Sequence, residues 1–362
     1  MRIAVLGSGN GGCAVAFDCG RHGHEVSLFG FEEFGIADKA AGIARHGGLV
    51  GTGAFSGTQP LRYVGSDMAR VLDGAGLVYV TGPAQATEPL AAAARPHLTR
   101  EQPVVVMPGS CLGALAFKGA LGVAPSDLSW VIAETSTLPY ACRITEPGVV
   151  HVFHRLRDGV YLAALGRDSG ATTRVLDLVR DVFEMIQPAA SVLETTLQNG
   201  NPVIHPAVTL TNAALIDRTG GDFLFYEEGV TTASGRLIAA VDAERLRIAR
   251  SLGADVLSEP AIGVTQGYMM EENYTTGYSQ APGFLGIKAQ DSLENRYLTE
   301  DVGFSMLLFR ELAARTGVAT PAMDAVVTLT SIVLDRDLVA EAPRTLSGLG
   351  LGEASREDLL AL

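Results

Sequence analysis

The 362-residue sequence is short of basic side chains, and this shortage excludes one large class of partner. Its 27 lysines and arginines stand against 40 aspartates and glutamates, which gives a net charge of −13. Proteins that bind nucleic acid usually present a basic surface, so we expect no nucleic-acid partner. Any anionic ligand must be held by a few local arginines or by backbone N–H groups.

Cysteine is also scarce, and the spacing of the four cysteines argues against metal and disulfide chemistry. They occupy positions 13, 19, 111 and 142, and no two of them form a CxxC pair. Structural metal sites and redox-active pairs usually show such close spacing. We therefore expect no metal, and we interpret the cysteines as reduced, buried thiols of a cytoplasmic protein.

Long apolar runs are absent as well, although 47% of the residues are hydrophobic. No run is long enough to span a bilayer, and the N-terminus lacks the apolar stretch and cleavage site of a secretion signal. We find no internal repeat and no low-complexity tract. The sequence therefore predicts no membrane partner and enough apolar residues for two domains.

The N-terminal segment carries a dinucleotide-binding pattern. A short apolar strand, Arg2–Leu6, is followed by Gly7, Gly9 and Gly12 in GxGxxG spacing, then by a helix and a second strand, Glu25–Phe29. Gly7 permits a tight turn, Gly9 lets the backbone approach a pyrophosphate, and Gly12 lets the helix pack close to the strand. The helix N-terminus then offers N–H groups and a partial positive charge to the phosphates.

The end of the second strand lacks the acid that usually binds the adenosine ribose. Gly30 occupies that position, followed by Phe31, Glu32 and Glu33, and no Arg or Lys follows them to hold a 2′-phosphate. Glu32 is near enough to bind the ribose hydroxyls and would repel a phosphate. The sequence therefore favours NAD as the cofactor, with NADP as the alternative.

Further strand–helix units follow in "GLVYVTGPA", "QPVVVMPGS" and "LSWVIAETSTLPYACRI". This alternation predicts an α/β fold with a parallel sheet and right-handed crossovers. Ligands bind beyond the carboxyl ends of such strands, which places Thr81, Gly109, Thr137 and Cys142 near the cofactor or substrate. We predict a Rossmann-type dinucleotide-binding domain over residues 1–190.

In the second half of the sequence the apolar residues recur with the period of a helix, which predicts an all-α domain over residues 191–362. Apolar residues recur at helical spacing in four segments: Pro206–Asp217, Gly235–Leu252, Val302–Thr316 and Pro321–Leu334. The cleft between two domains is the usual place for a site.

A polar stripe marks the first of these helices. Asn201, His205, Thr209 and Asn212 share one helical face, and Pro206 predicts an opening or kink after His205. A histidine here is suited to proton transfer near neutral pH, and the alternative is a buried histidine satisfied by an asparagine. Taken alone, Asp301 is an acidic residue at a helix N-terminus.

The chain resembles the octopine/nopaline (opine) dehydrogenase family along nearly its whole length. The segments that carry the resemblance are "GSGNGG", "MPGSCLGALAF", "AETSTLPYACRI", "LQNGNPVIHPAVTLTNAALID", "DFLFYEEGVT", "VDAERLRIA" and "NRYLTEDV". The combination of NPxxHP with a later RYxxED is specific. Members couple a Rossmann domain to an α-helical domain. They use NADH or NADPH to condense the amine of an amino acid with a 2-oxo acid, such as pyruvate, into a secondary amine dicarboxylate.

The resemblance implies that His205 and Asp301 form a catalytic pair, with one ring nitrogen on the carboxylate and the other facing the cleft near the nicotinamide. The residues leave two roles open for His205, as proton donor or as the base that neutralises the amine. The substrate-binding residues that we expect are Arg296, Asn201, Thr137, Cys142 and Arg143, the last weighed against a structural role. The cofactor-binding residues that we expect are Gly7, Gly9, Asn10, Gly12, Glu32 and Thr81.

Two other functions are compatible with the same arrangement of a Rossmann domain and a helical domain. The first is a dehydrogenase or reductase of a hydroxy acid or 2-oxo acid; such enzymes often use a lysine where this chain has His205. The second is a nucleotide-sensing protein without turnover, which an intact His205 and Asp301 argue against.

Two further segments bear on substrates and assembly. Phe223, Phe225 and Tyr226 are interpreted as an apolar wall of the amino-acid pocket or as core residues. Near the C-terminus, Ser355 and Asp358 predict a capped short helix, which either contributes to a homodimer surface or closes its own domain.

Overall fold

The computed structural model describes all 362 residues. They form two compact units, one of residues 1–156 and 160–195 and the other of residues 157–159 and 196–362. All strands of the two sheets lie in the first unit, and the second unit is helical. The predicted fold class, a Rossmann-type α/β domain followed by an α-helical domain, is confirmed.

The first unit is built on a large, mostly parallel sheet. The strands of the whole unit are β1 (Arg2–Leu6), β2 (Glu25–Phe29), β3 (Leu49–Gly53), β4 (Gly57–Gln59), β5 (Tyr63–Gly65), β6 (Leu77–Val80), β7 (Val104–Val106), β8 (Ile132–Thr135), β9 (Tyr140–Glu146), β10 (Val149–Arg155), β11 (Val160–Ala164) and β12 (Ile186–Pro188). Eight of them form one sheet in the order β12-β11-β8-β7-β6-β1-β2-β5. Strand β1 pairs in parallel with β2 and β6, whereas β8 and β11 are antiparallel.

The other four strands form a second sheet, in the order β4-β3-β10-β9. The sequence predicted one strand across the segment that ends in "TLPYACRI", but the structure divides it between β8 of the large sheet and β9 of the small one. The division contains Pro139, which has no N–H to donate to a ladder. Consequently Cys142 lies within β9 of the small sheet and not at the carboxyl end of a strand in the large sheet.

The helices of the first unit follow its strands as the alternating pattern predicts. They are α1 (Asn10–Arg21), α2 (Ile36–Arg45), α3 (Met68–Leu72), α4 (Thr87–Ala94), α5 (Gly113–Ala120) and α6 (Ser169–Val179). Helix α1 is buried along most of its length, including Gly12, Ala14 and Phe17, because it packs against β1 and β2.

The helices of the C-terminal part are α7 (Val192–Leu197), α8 (Asn201–Thr211), α9 (Ala213–Thr219), α10 (Thr232–Ser251), α11 (Glu259–Thr265), α12 (Thr276–Ser279), α13 (Arg296–Thr299), α14 (Leu307–Thr316), α15 (Pro321–Leu334) and α16 (Arg356–Leu359). A π-helical segment, Asp301–Met306, joins α13 to α14. A bilayer-spanning helix is not found among them.

Helix α8 positions the stretch with the polar stripe. It runs continuously through Pro206, so the opening predicted there is not seen. It ends at Thr211, with Asn212 as its C-cap, although one helix was predicted to continue to Asp217. The Asn212 amide donates to the carbonyl oxygens of Val208 and Gly229, which ties the helix end to the next loop. Because α8 packs against α10, α13, α15 and the π-helical segment, its central residues are buried.

Candidate active site

The glycine-rich turn between β1 and α1 leaves room for a ligand at one glycine only. Gly7 has a φ of +114°, and a Cβ there would lie 1.8 Å from the carbonyl oxygen of Thr81. A Cβ on Gly12 would lie 1.7 Å from the carbonyl oxygen of Gly7. A Cβ on Gly9 would meet no atom within 4 Å. This open space adjoins the N-terminus of α1, where backbone N–H groups favour an anion, so the turn fits a dinucleotide pyrophosphate.

Two of the expected cofactor residues use their side chains to support this turn. The Thr81 hydroxyl donates to the carbonyl oxygens of Leu6 and Gly7, at 3.2 and 3.1 Å. The Asn10 side-chain oxygen accepts the N–H of Ile144 at 2.8 Å and so anchors β9 to α1. The side chains of Thr81 and Asn10 are therefore engaged in holding the nucleotide-binding unit together.

The region after β2, where the sequence predicts the adenosine, contains a cation that was not predicted. A Cβ on Gly30 would lie 2.3 Å from Oγ of Ser8, so Ser8 fills the space of the missing acid. The Lys39 ammonium lies 3.3 Å from the same Ser8 oxygen, because α2 brings it back towards the turn. Glu32 accepts a hydrogen bond from the Ser66 hydroxyl. Glu32 and Lys39 thus both lie in this region, which corrects the prediction that it contains acidic side chains and no basic one.

In the helical unit, His205 and Asp301 are in direct contact although 96 residues separate them. Asp301 Oδ2 lies 2.7 Å from Nδ1 of His205, within the distance expected for an acid–base pair. Both side chains are buried, at 7% and 4% exposure. Asp301 begins the π-helical segment and does not start an isolated helix. Widened turns of this kind occur frequently at functional sites.

The second ring nitrogen of His205 has a protein partner. Its Nε2 lies 3.2 Å from the hydroxyl of Tyr226, which is itself buried. The ring of Tyr297 stacks on the imidazole, with ring centres 4.0 Å apart and 20° between the planes. Phe225 approaches the imidazole edge-on at 6.2 Å. The imidazole is therefore held through both nitrogens and one face.

Burial sets the protonation state of His205. Desolvation lowers the pKa of His205 below its usual value, Asp301 opposes this by raising it, and Arg296 lowers it further. The neutral ring carries one proton, and a carboxylate accepts only, so we place that proton on Nδ1. Nε2 is then an acceptor that faces the Tyr226 hydroxyl. Burial also raises the pKa of Tyr226 well above its usual range, so the phenol stays protonated and donates.

Arg296 and Asn201 flank this pair on neighbouring helices. The Arg296 side chain is 52% exposed, lies 3.5 Å from Glu300 and has its guanidinium 5.6 Å from the centre of the Tyr297 ring. An exposed guanidinium can hold a carboxylate bidentately. Asn201 begins α8 and is half-buried, and its backbone N–H donates to Oδ1 of Asn199.

The rest of the polar stripe on α8 has structural partners. Thr209 is fully buried and accepts a hydrogen bond from the Gln290 side chain at 2.9 Å. Asn212 caps the helix end as described above. Of the stripe, His205 is the member whose side chain contacts a second ionisable group.

The other expected substrate residues belong to the first unit. Burial raises the pKa of the Cys142 thiol to about 12, so this cysteine is a neutral core residue. Arg143 is exposed, and its guanidinium donates to the backbone oxygen of Cys142 at 3.2 Å. Thr137 follows the carboxyl end of β8 and is half-buried, and its carbonyl oxygen accepts from the Thr135 hydroxyl.

Sequence reasoning missed Tyr297 and did not predict the contact of Tyr226 with His205. A signal for Tyr297 existed, because it precedes Asp301 by four residues and so shares its helical face. Tyr226 gave no such signal, since it lies between α9 and α10 in an apolar stretch. Phe223 and Phe225 are buried core residues, at 7% and 0% exposure.

The structure offers no arrangement suited to a metal or a disulfide. No group of three or more His, Cys, Asp or Glu side chains is placed to hold a metal ion. All four cysteines are buried, and none of them forms a disulfide. At the C-terminus, Ser355 and Asp358 form the predicted capping box of α16, and Leu359 of that helix is buried in its own unit.

Comparison with known proteins gives matches to both units. The family model described as "NAD/NADP octopine/nopaline dehydrogenase, alpha-helical domain" matches residues 188–334. The family model described as "NAD-dependent glycerol-3-phosphate dehydrogenase N-terminus" matches residues 2–120. An opine dehydrogenase of Arthrobacter sp. (strain 1C) is 32% identical over 360 residues, which covers 96% of this chain and 94% of the relative.

Solved structures are similar in fold along the whole chain. The structure of an octopine dehydrogenase with NADH and L-arginine aligns with a TM-score of 0.79 at 21% identity, covering 100% of this chain and 98% of that chain. A yersinopine dehydrogenase with bound NADP⁺ aligns with a TM-score of 0.71 at 15% identity, covering 99% and 96%.

Proposed function

Because the chain belongs to the octopine/nopaline (opine) dehydrogenase family, we propose that His205 and Asp301 are the catalytic acid–base pair of its reaction. The enzyme is an NAD(P)-dependent dehydrogenase that reductively condenses an amine with a 2-oxo acid to give a secondary amine. The observation that carries the catalytic assignment is the buried contact of 2.7 Å between these two side chains. A hydroxy-acid dehydrogenase and a nucleotide sensor are not favoured.

The chemistry needs a group that can both remove and return protons. The amine must lose a proton before its lone pair can attack the 2-oxo carbon, and the resulting carbinolamine must lose its hydroxyl as water. A neutral His205 accepts the first proton, and the imidazolium, stabilised by Asp301, supplies the second. The nicotinamide, when bound, supplies the hydride that reduces the C=N carbon.

The dinucleotide belongs to the N-terminal domain, which we assign to residues 1–190. Its binding groups are the backbone at Gly7, Gly9, Asn10 and Gly12, with Thr81 supporting the turn. We assign Glu32 to the adenosine ribose hydroxyls, and we propose that NADH is preferred over NADPH. The positive charge of Lys39 attracts a 2′-phosphate, so the preference for NADH is smaller than Glu32 and Glu33 alone would produce.

We assign the helical domain to residues 191–362 and propose that it binds the substrates. Arg296 is the proposed partner of a substrate carboxylate, and its exposed guanidinium supports this role. Asn201 and Arg143 are proposed as further polar contacts, and Thr137 and Cys142 as residues that face the 2-oxo acid.

The test is a panel of amino acids against pyruvate, glyoxylate and 2-oxoglutarate, followed by NADH oxidation and by mass spectrometry of the product. We expect a secondary amine dicarboxylate whose formation requires both an amino acid and an oxo acid. NADH oxidation by an oxo acid alone, with a hydroxy acid as product, would instead identify a hydroxy-acid dehydrogenase. The His205→Ala variant, with NADH binding checked, serves as the inactive control.

We also propose a homodimer, formed through α15 and not through α16. Leu329, Ile332 and Val333 of α15 are 48%, 68% and 38% exposed, and no charged residue occurs between Ala325 and Val333. An uncharged apolar face allows a second copy to approach despite the net charge of −13. Light scattering should give a dimer for the native chain and a monomer for Ile332→Glu. A native monomer would refute the proposal.

We propose a cytoplasmic location for the enzyme. Four buried cysteines without a disulfide and a nicotinamide cofactor both suit a reducing compartment. Fractionation of the native cells, with NADH-dependent activity as the marker, tests it.

A further inference from the structure

Both ring nitrogens of His205 already have protein partners in this structure. Asp301 lies 2.7 Å from Nδ1, and the Tyr226 hydroxyl lies 3.2 Å from Nε2. Tyr297 covers one face of the ring at 4.0 Å. His205 and Tyr226 are each 5% exposed, so exposure does not distinguish between them. Because the Tyr226 hydroxyl already occupies Nε2, a proton passes between a substrate and this nitrogen through that hydroxyl unless Tyr226 moves.

Two aromatic neighbours hold Tyr226 in this place. Its ring stacks on Phe284, with ring centres 4.2 Å apart and 15° between the planes. Phe225 meets it edge-on at 5.0 Å. Such contacts are each worth about 0.5–1.5 kcal/mol beyond the area that they bury, so the hydroxyl is directed at Nε2 by packing on two sides.

We propose that Tyr226 is a catalytic residue that carries protons between His205 and the substrate. This inference rests on the proposed function, because it concerns how the same acid–base pair reaches the amine and the carbinolamine. The resulting order of groups is Asp301, His205, Tyr226 and then the substrate. Tyr226 therefore belongs to the active site and not to an apolar wall.

The proton balance closes in both directions. When the substrate ammonium loses a proton, its N–H bond breaks and a new O–H bond forms on the Tyr226 oxygen, while the original phenol proton passes to Nε2 of His205. When the carbinolamine loses its hydroxyl, the C–O bond breaks, the departing oxygen takes the phenol proton and leaves as water, and the nitrogen lone pair forms the C=N bond. The Tyr226 oxygen then regains the proton from Nε2, so no phenolate accumulates.

The ionisable groups around the relay come from several elements. Asp301 and Arg296 act on His205, and Tyr297, Glu259, Arg296 and Tyr268 act on Tyr226. Burial of the phenol opposes its ionisation, which favours concerted transfer of the two protons. A variant at position 226 should therefore change the proton-transfer step without changing the charge of its surroundings.

The experiment compares Tyr226→Phe with Tyr278→Phe. Tyr278 is fully buried near the same Phe284, and its hydroxyl has no hydrogen-bond partner, so its loss controls for removing a buried phenol oxygen. We measure kcat and KM across pH, the solvent deuterium isotope effect, and NADH binding by fluorescence. Tyr226→Phe should lose about 10²-fold or more in kcat and retain NADH affinity, whereas Tyr278→Phe should resemble the wild type.

A second variant keeps the test decisive if Tyr226→Phe folds poorly. Difluorotyrosine at position 226 retains the ring and the hydroxyl but is a stronger acid, so it should shift the pH profile of kcat and alter the isotope effect. If Tyr226→Phe is as fast as the wild type, or if the fluorinated enzyme has an unchanged profile, the relay is wrong. A wild type inactive with every amine and oxo acid would instead refute the proposed function itself.

Discussion

The ring of Tyr297 lies nearly parallel to the imidazole of His205, with 4.0 Å between the two ring centres. Tyr297 comes one residue after Arg296 and four before Asp301, so one short stretch supplies a stacking ring, a carboxylate partner and an exposed cation. Asp301 fixes the tautomer of the imidazole, and Tyr297 restricts its rotation. Groups held in this way are ready for proton transfer before the substrate arrives.

Replacing the stacking ring should therefore lower turnover more than it lowers binding. We expect Tyr297→Leu to reduce kcat by about tenfold, because an aromatic pair is worth about 0.5–1.5 kcal/mol beyond its buried area. Tyr297→Phe retains the ring and is the matched control, with kcat much closer to that of the wild type. Equal rates for the leucine and phenylalanine variants would show that the stack has no part in orienting His205.

The carboxylate of Asp301 should control both the rate and its pH dependence. It raises the pKa of His205 against the larger effect of burial, so Asp301→Asn should lower that pKa further. The limb of kcat/KM that rises as His205 becomes neutral should therefore move to lower pH, and kcat should fall by about 10²–10⁴-fold. The exposed Asp291→Asn is the control. A limb that moves to higher pH would contradict this assignment.

Two glycines of the nucleotide turn should respond oppositely to the same small change. Gly12→Ala forces a Cβ against the backbone oxygen of Gly7, so it should destabilise the fold by about 1–3 kcal/mol or more. Gly9→Ala meets no protein atom, so the protein should fold normally but bind NADH more weakly. Thermal unfolding and fluorescence titration separate the two effects. Undiminished NADH affinity in Gly9→Ala would mean that the pyrophosphate lies elsewhere.

The pair of charges at the adenosine end should set cofactor choice. Glu32→Gln removes a charge that repels a 2′-phosphate, so it should increase affinity for NADPH relative to NADH. Lys39→Gln should act in the opposite direction, because its ammonium lies 3.3 Å from Ser8 at this end of the turn. Dissociation constants for both reduced cofactors provide the measurement, with Glu33→Gln as the neighbouring control. If the ratio of the dissociation constants for NADH and NADPH is the same in all variants, the adenosine does not bind beside these residues.

Sequence patterns correctly predicted those structural features that depend on residues close together in the chain. The spacing of Gly7, Gly9 and Gly12 predicted the turn because each glycine acts within one strand–turn–helix unit. Helix α15 begins and ends as its apolar period indicates, and the capping box from Ser355 to Asp358 spans only four residues. The pairing of His205 with Asp301 was different, because no spacing rule links residues so far apart. It came from the resemblance to a known family.

What the sequence could not predict depends on how distant segments return to one another. Lys39 reaches Ser8 because α2 folds back beside the turn, and Tyr226 meets His205 through a loop with no period. Thr209 looked like a site residue on the helical face, but it bonds to Gln290, which comes 81 residues later. A polar side chain on a buried face indicates a partner without saying whether that partner is a ligand or the protein.

The widened turn at Asp301–Met306 lets Asp301 face His205 while the apolar residues of α14 face the core, which a regular helix would not allow. Each residue of an α-helix rotates the chain by about 100°. A wide turn takes up one additional residue and so shifts the phase between Asp301 and the core-facing residues of α14, such as Leu308 and Leu312. Removing one residue here, for example Gly303, would leave the other side chains in place along the sequence while rotating the carboxylate away from the imidazole. The direction of the Asp301 carboxylate thus depends on the number of residues in this turn as well as on their identity.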